Sequence, residues 1–164
     1  PQQGSLPLPH VPAGAPLGSL PPPASLQIDA IGLRAPVRPA PLVEAGGVAQ
    51  WQVPAFAAGH GEGTANPGEA GNAVLMGHVQ SVDAGEVFRN LHQVAPGDEV
   101  VLVNERGERY VYRVVDVRTV TPGEVSIVAP TPDPTLTLVT CAGAWLPQRQ
   151  DYSERLVVVA KLQA

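Results

Sequence analysis

Cysteine is nearly absent. The 164 residues hold one, Cys141, so no intrachain disulfide framework can form and a thiolate zinc cluster lacks its ligands. Aromatic residues make up 4%, too few for the base-stacking platforms of nucleic-acid binders. Positive charge is sparse and scattered, and against 15 acidic residues it leaves a formal charge of -5. A phosphate-backbone binder carries a basic patch instead, so no nucleic-acid partner is expected. No apolar run approaches the roughly 20 residues that span a bilayer. Attachment to a membrane is therefore expected only through an N-terminal anchor that this sequence does not contain.

What is present fits one modest domain, since roughly 150 residues make a domain. Proline is unevenly spread: eight of the 19 fall in residues 1–23, a stretch without a charged side chain. Proline lacks the amide donor and fixes φ, so neither a helix nor an inner strand is expected there. Residues 1–24 read as an extended linker and residues 25–164 as the folded domain.

Within the domain, short runs rich in β-branched residues are bounded by Gly, Pro, Asn and Asp, the pattern of an all-β chain. The runs cover 26–31, 36–38, 48–53, 73–76, 99–103, 108–120, 135–141 and 155–162. The clearest hairpin joins 99–103 to 108–117, with Gly107 supplying a left-handed backbone in the connection. Val87, Phe88, Leu91 and Val94 fall at helical spacing, which predicts a short helix over 83–94. About eight strands with one helix favour a closed barrel or a sandwich.

Cys141 is the first candidate for chemistry. It follows the apolar run Leu136-Thr137-Leu138-Val139-Thr140 and precedes Ala142-Gly143. A strand end opening into a glycine-containing loop can hold a nucleophile rigidly. The alternative is a buried cysteine acting as a small hydrophobe. His78 has a similar setting after Asn72-Ala73-Val74-Leu75-Met76-Gly77, whereas His10, His60 and His92 lie in the tail, a glycine-rich loop and the expected helix. Acyl transfer also needs a donor aimed at the oxyanion. Arg155, at the start of Leu156-Val157-Val158-Val159-Ala160, offers one. Its other reading is a charge shielding a sheet edge.

These contexts together resemble the sortase family of cysteine transpeptidases. Gly71-Asn72-Ala73-Val74-Leu75-Met76-Gly77-His78 is similar to the family's strand ending in Gly-His. Val87-Phe88-Arg89-Asn90-Leu91 followed by Pro96-Gly97-Asp98-Glu99-Val100 is similar to the helix and the Gly-Asp turn that come after that histidine. Leu136-Thr137-Leu138-Val139-Thr140-Cys141 resembles the family's Leu-containing signature that ends in Thr-Cys, and Arg155-Leu156-Val157-Val158-Val159-Ala160 resembles the closing strand with the family's arginine. The resemblance covers about residues 26–164, and the block from Gly71, with Trp51 before it, looks closest to the class E and class F groups.

The resemblance implies an eight-stranded sortase-type β-barrel with one or two short helices after the proline-rich tail. It implies a catalytic set of His78, Cys141 and Arg155, with Arg149 as a fallback for the arginine. The implied reaction cleaves a Leu-Pro-x-Thr-Gly-like sorting signal after the Thr through a thioester. An amine of a cell-wall precursor or of another surface protein then accepts the chain, at the extracytoplasmic face of a bacterial membrane. Thr140, Ile127 and Val128 are expected to contact the peptide, the latter two from the proline-rich connection 122–134. No cofactor and no metal are expected. Leu6-Pro7, Leu8-Pro9 and Leu20-Pro21 repeat the Leu-Pro pair of such a signal, so the tail is expected to be able to visit the groove. Two other functions fit the residues: a hydrolytic cysteine protease, and a non-catalytic surface β-domain with a structural cysteine.

Overall fold

The computed structural model describes residues 20–164. Most of the expected linker, residues 1–19 with His10 and the first two Leu-Pro pairs, lies outside the described residues. The domain starts earlier than the proline content suggests, because β1 (Pro23–Ile28) opens on Pro23 itself. A first strand residue tolerates proline, and β1 pairs on both sides. Leu20 is tied down too, its amide donating to Glu69 and its carbonyl accepting from Asn66.

The remaining strands are β2 (Leu33–Ala40), β3 (Leu42–Ala45), β4 (Val48–Trp51), β5 (Ala58–Gly61) and β6 (Gly71–Met76). After them come β7 (Glu99–Asn104), β8 (Arg109–Val120), β9 (Pro134–Leu146) and β10 (Asp151–Leu162). Eight strands close a barrel in the order β1-β2-β5-β6-β9-β10-β8-β7, while β3 and β4 form a separate hairpin. The pairs β2–β5 and β6–β9 are parallel and the rest antiparallel. The expected hairpin is β7–β8: the Asn104 side chain accepts from the amides of Arg106 and Glu108, and Gly107 has φ 82°.

Side-chain alternation sorts the strands into two apolar layers. Leu26, Ile28, Leu75, Val100, Leu102, Leu136, Leu138, Leu156 and Val158 fill the barrel. Val74, Met76, Val139 and Val157, from the three adjacent strands β6, β9 and β10, point the other way. They pack under Trp51, Ile127 and Val128. Because β9 is covered on both faces, it reads as an unbroken buried run rather than an alternating one.

Two expectations fail. Residues 83–94 do not form a helix but consecutive turns and a three-residue 3-10 segment, Leu91–Gln93. Gly85 sits at φ 83° and most of the local bonds are of i to i-3 type, such as Leu91 to Phe88 and Val94 to Leu91. The apolar spacing did report burial, since Phe88, Leu91 and Val94 are all in the barrel core. Strand β5 also escaped the pattern reading, because Ala58-Gly59-His60-Gly61 has poor strand propensity. Its glycines answer to packing: a Cβ at Gly61 would lie 2.7 Å from the Trp51 ring, and one at Gly59 2.6 Å from the Pro54 ring.

Candidate active site

Strands β6, β9 and β10 run side by side, and their register places the three candidate side chains. In β9–β10, Cys141 lies directly opposite Arg155. Opposed residues of a ladder share a face, and alternation puts both on the face of Val139 and Val157 rather than inside the barrel. In β6–β9, Met76 aligns with Val139. Two residues on, beyond the end of β6, the same register brings His78 level with Cys141. The extension is held by two bonds: the Gly77 amide donates to the Val139 carbonyl at 3.2 Å, and the Thr140 hydroxyl donates to the Gly77 carbonyl at 2.7 Å. His78, Cys141 and Arg155 therefore stand at one level across three neighbouring strands, at the end of the outer apolar layer.

Cys141 is not at a strand end, as its sequence context suggests. Strand β9 continues to Leu146 and turns back into β10 through residues 147–150. Gly143, at φ 77°, and a register shift between Tyr152 and Glu154 bend the far part of this hairpin. Cys141 is buried, with 7% exposure, and its backbone is paired with Arg155 in β10.

His78 is buried as well. Loss of water around the ring lowers its pKa below 6.5, only partly offset by a hydrogen bond to the Val53 backbone. The neutral imidazole is thus the favoured form at neutral pH. Its own carbonyl accepts from the Phe88 amide, which anchors the turn segment behind it.

Arg155 is the most buried charge among the described residues, with 2% exposure. Its Nη2 donates to both carboxylate oxygens of Asp151 at 2.8 and 3.0 Å, and its Nη1 donates to the Glu154 carbonyl at 3.1 Å. Asp151 carried no signal in the sequence. Four residues of regular strand span roughly 13 Å, so only the bend of the hairpin lets this pair meet.

The residues expected to touch substrate divide. Ile127 and Val128 lie in a 3-10 segment, Val125–Val128, that walls the outer layer on the Cys141 face. Both are nearly buried, so they shape the wall from behind. Asn72, unnoticed in sequence, fixes that wall by donating to the Ile127 and Ala129 carbonyls while accepting from Thr137. Thr140 alternates to the barrel side and spends its hydroxyl on Gly77, so it braces the site instead of lining it. His60 binds the Ala65 carbonyl, His92 binds the Arg89 carbonyl, and Arg149 sits in the exposed β9–β10 turn. None of these three joins the set. Among the described residues, no group of three or more His, Cys, Asp or Glu is arranged to hold a metal ion.

The family model for the sortase domain matches residues 26–163. Among solved structures, the chain is similar to a sortase D5 transpeptidase from Clostridium perfringens, at 26% identity and TM-score 0.67, covering 87% of this chain and 79% of that one. It is also similar to a lid mutant of sortase A from Corynebacterium diphtheriae, at 26% identity and TM-score 0.69, covering 93% and 74%. A sortase C-1 from Actinomyces oris shares the fold at 24% identity and TM-score 0.67, covering 89% and 76%. No curated protein matches.

Proposed function

The chain belongs to the sortase family, and on that premise we propose that it cleaves a Leu-Pro-x-Thr-Gly-like sorting signal after the Thr and transfers the acyl group to an amine. Family membership and fold support a transpeptidase acting at the bacterial cell surface. The observation that carries the finer reading is the shared level and face of His78, Cys141 and Arg155.

The chemistry follows from that arrangement. Neutral His78 takes the thiol proton, and the thiolate of Cys141 attacks the Thr carbonyl carbon. The carbonyl π pair moves to oxygen, and Arg155 stabilises the oxyanion. Collapse of the intermediate breaks the C–N bond, and the imidazolium returns its proton to the departing amine. A thioester remains. An incoming amine, from a peptidoglycan precursor or another surface protein, attacks it in the same way and restores the thiol. The Leu-Pro part of the signal runs along the wall that Ile127 and Val128 hold, and prolines at 122, 130, 132 and 134 stiffen this connection.

The test is mass spectrometry of acyl-enzyme trapped from a pentapeptide library, with Cys141→Ala as control. A thioester on Cys141 carrying a peptide that ends in Thr supports the reading. Products are then compared with and without added oligoglycine or diamine: transfer supports the transpeptidase, and unchanged hydrolysis would make this a protease. A Cys141 inert to both peptide and small thiol reagents would leave only a structural cysteine.

A further inference from the structure

Resting on that reading, we infer that Asp151 is the positioning residue of the site: it clamps Nη2 of Arg155 while the β10 backbone holds Nη1, so that Nε–H is the donor presented to the substrate carbonyl. A guanidinium has five N–H bonds. Asp151 takes Nη2 through both carboxylate oxygens, at 2.8 and 3.0 Å. The Glu154 and Tyr152 carbonyls take Nη1, at 3.1 and 3.5 Å. What is left is Nε, the one buried side-chain nitrogen or oxygen among the described residues without a hydrogen-bond partner.

A buried charged donor without an acceptor costs stability. An arginine 2% exposed would normally be fully satisfied. Here the vacant donor belongs to the residue paired directly opposite the nucleophile, on the same face. The acceptor it lacks is what a scissile carbonyl brings, and the bond strengthens as that oxygen becomes an anion. Asp151 fixes the rotation of the fork and balances its charge before substrate arrives. Its own side chain is 28% exposed, at the rim of the site. Since β10 bends between Tyr152 and Glu154, the clamp also ties the end of the hairpin to the catalytic level.

The inference is tested in the full chain by acylation kinetics with a sorting pentapeptide and by arginine side-chain NMR. Asp151→Asn keeps the shape but not the charge, and is expected to lower kcat/KM about 10- to 100-fold, as misplacement of a catalytic group by about 1 Å does. Asp151→Glu should recover part of the loss. In an Arg155→Ala background, Asp151→Asn should change nothing further, because a residue acting through Arg155 has nothing left to position. An equal loss in both backgrounds, or wild-type kinetics for Asp151→Asn, overturns the inference while leaving the transpeptidase reading intact.

The NMR arm does not depend on turnover. The Arg155 Nε–H signal, assigned with Arg155→Lys, should shift when the pentapeptide is added to Cys141→Ala protein. It should broaden in Asp151→Asn as the fork gains freedom. A peptide that shifts only the Nη signals overturns the assignment of Nε as donor. Failure of the wild type to form any acyl-enzyme, with the Nε signal already rigid and Asp151-dependent, overturns the function and not the clamp.

Discussion

The hydroxyl of Thr140 donates to the carbonyl of Gly77 at 2.7 Å. The bond joins the residue before the nucleophile to the residue before the histidine, across 63 positions of chain. It is the point where the exit of β6 and the interior of β9, distant in sequence, become one site.

Thr140→Val keeps the side-chain shape and removes this donor, leaving a buried carbonyl without its partner. The expected cost is about 1–3 kcal/mol of stability, together with a fall in kcat from a displaced His78. Thr140→Ser retains the hydroxyl and should retain most activity. Urea unfolding and acylation kinetics on both variants check this. A Val variant as stable and active as wild type would show that the strands hold the site without the hydroxyl.

Gly77 itself has no room for a side chain. An added Cβ would lie 2.6 Å from Cγ1 of Val87 and 2.7 Å from Cδ2 of Phe88. Gly77→Ala is therefore expected to lose about 1–3 kcal/mol by overpacking, and to push the turn segment off His78. A thermal melt reads the first effect, and the rate of peptide acylation reads the second.

Asn72 is the buried strut of the groove wall. Asn72→Leu would leave the Ile127 and Ala129 carbonyls and the Thr137 hydroxyl without their shared partner. Stability should fall by about 2–3 kcal/mol. Because Cys141 is not touched, KM for a sorting peptide should rise while reaction with a small thiol reagent stays near wild type. Parallel loss of both rates would place Asn72 in the framework alone.

Burial lowers the pKa of both His60 and His78 from 6.5. Between the folded values and 6.5 the unfolded chain binds more protons. Stability therefore rises with pH through that window, and is lost as pH falls below about 6.5. Denaturant midpoints measured from pH 7 down to pH 5 should decline, and His60→Gln should flatten the decline. Glu124 caps the Val125–Val128 segment, its side chain accepting from the Ser126 amide. Its pKa is lowered from 4.5 by hydrogen bonds from Ser126, so its contribution is lost only in more acidic solution. For catalysis, the acid limb of kcat/KM should lie below pH 6.5, since neutral His78 is the base. A limb above that value contradicts the desolvation account.

The sequence alone determined the all-β class, the position of most strands and the identities of Cys141, His78 and Arg155 as candidates. These are local facts: β-branched runs between turn residues, and reactive side chains next to buried strands. The tertiary structure decided what depends on register and on close approach. It turned the expected helix over 83–94 into turns, because apolar spacing reports burial but not backbone hydrogen bonding. It hid β5 behind glycines that exist to admit Trp51 and Pro54. It moved Thr140 to the inner face, since one step along a strand reverses direction. It made Asp151 a partner of Arg155 through a bend that no spacing announces. Chemistry at single positions is written in residue types, whereas contacts between strands emerge only when the barrel closes and sets which positions stand side by side.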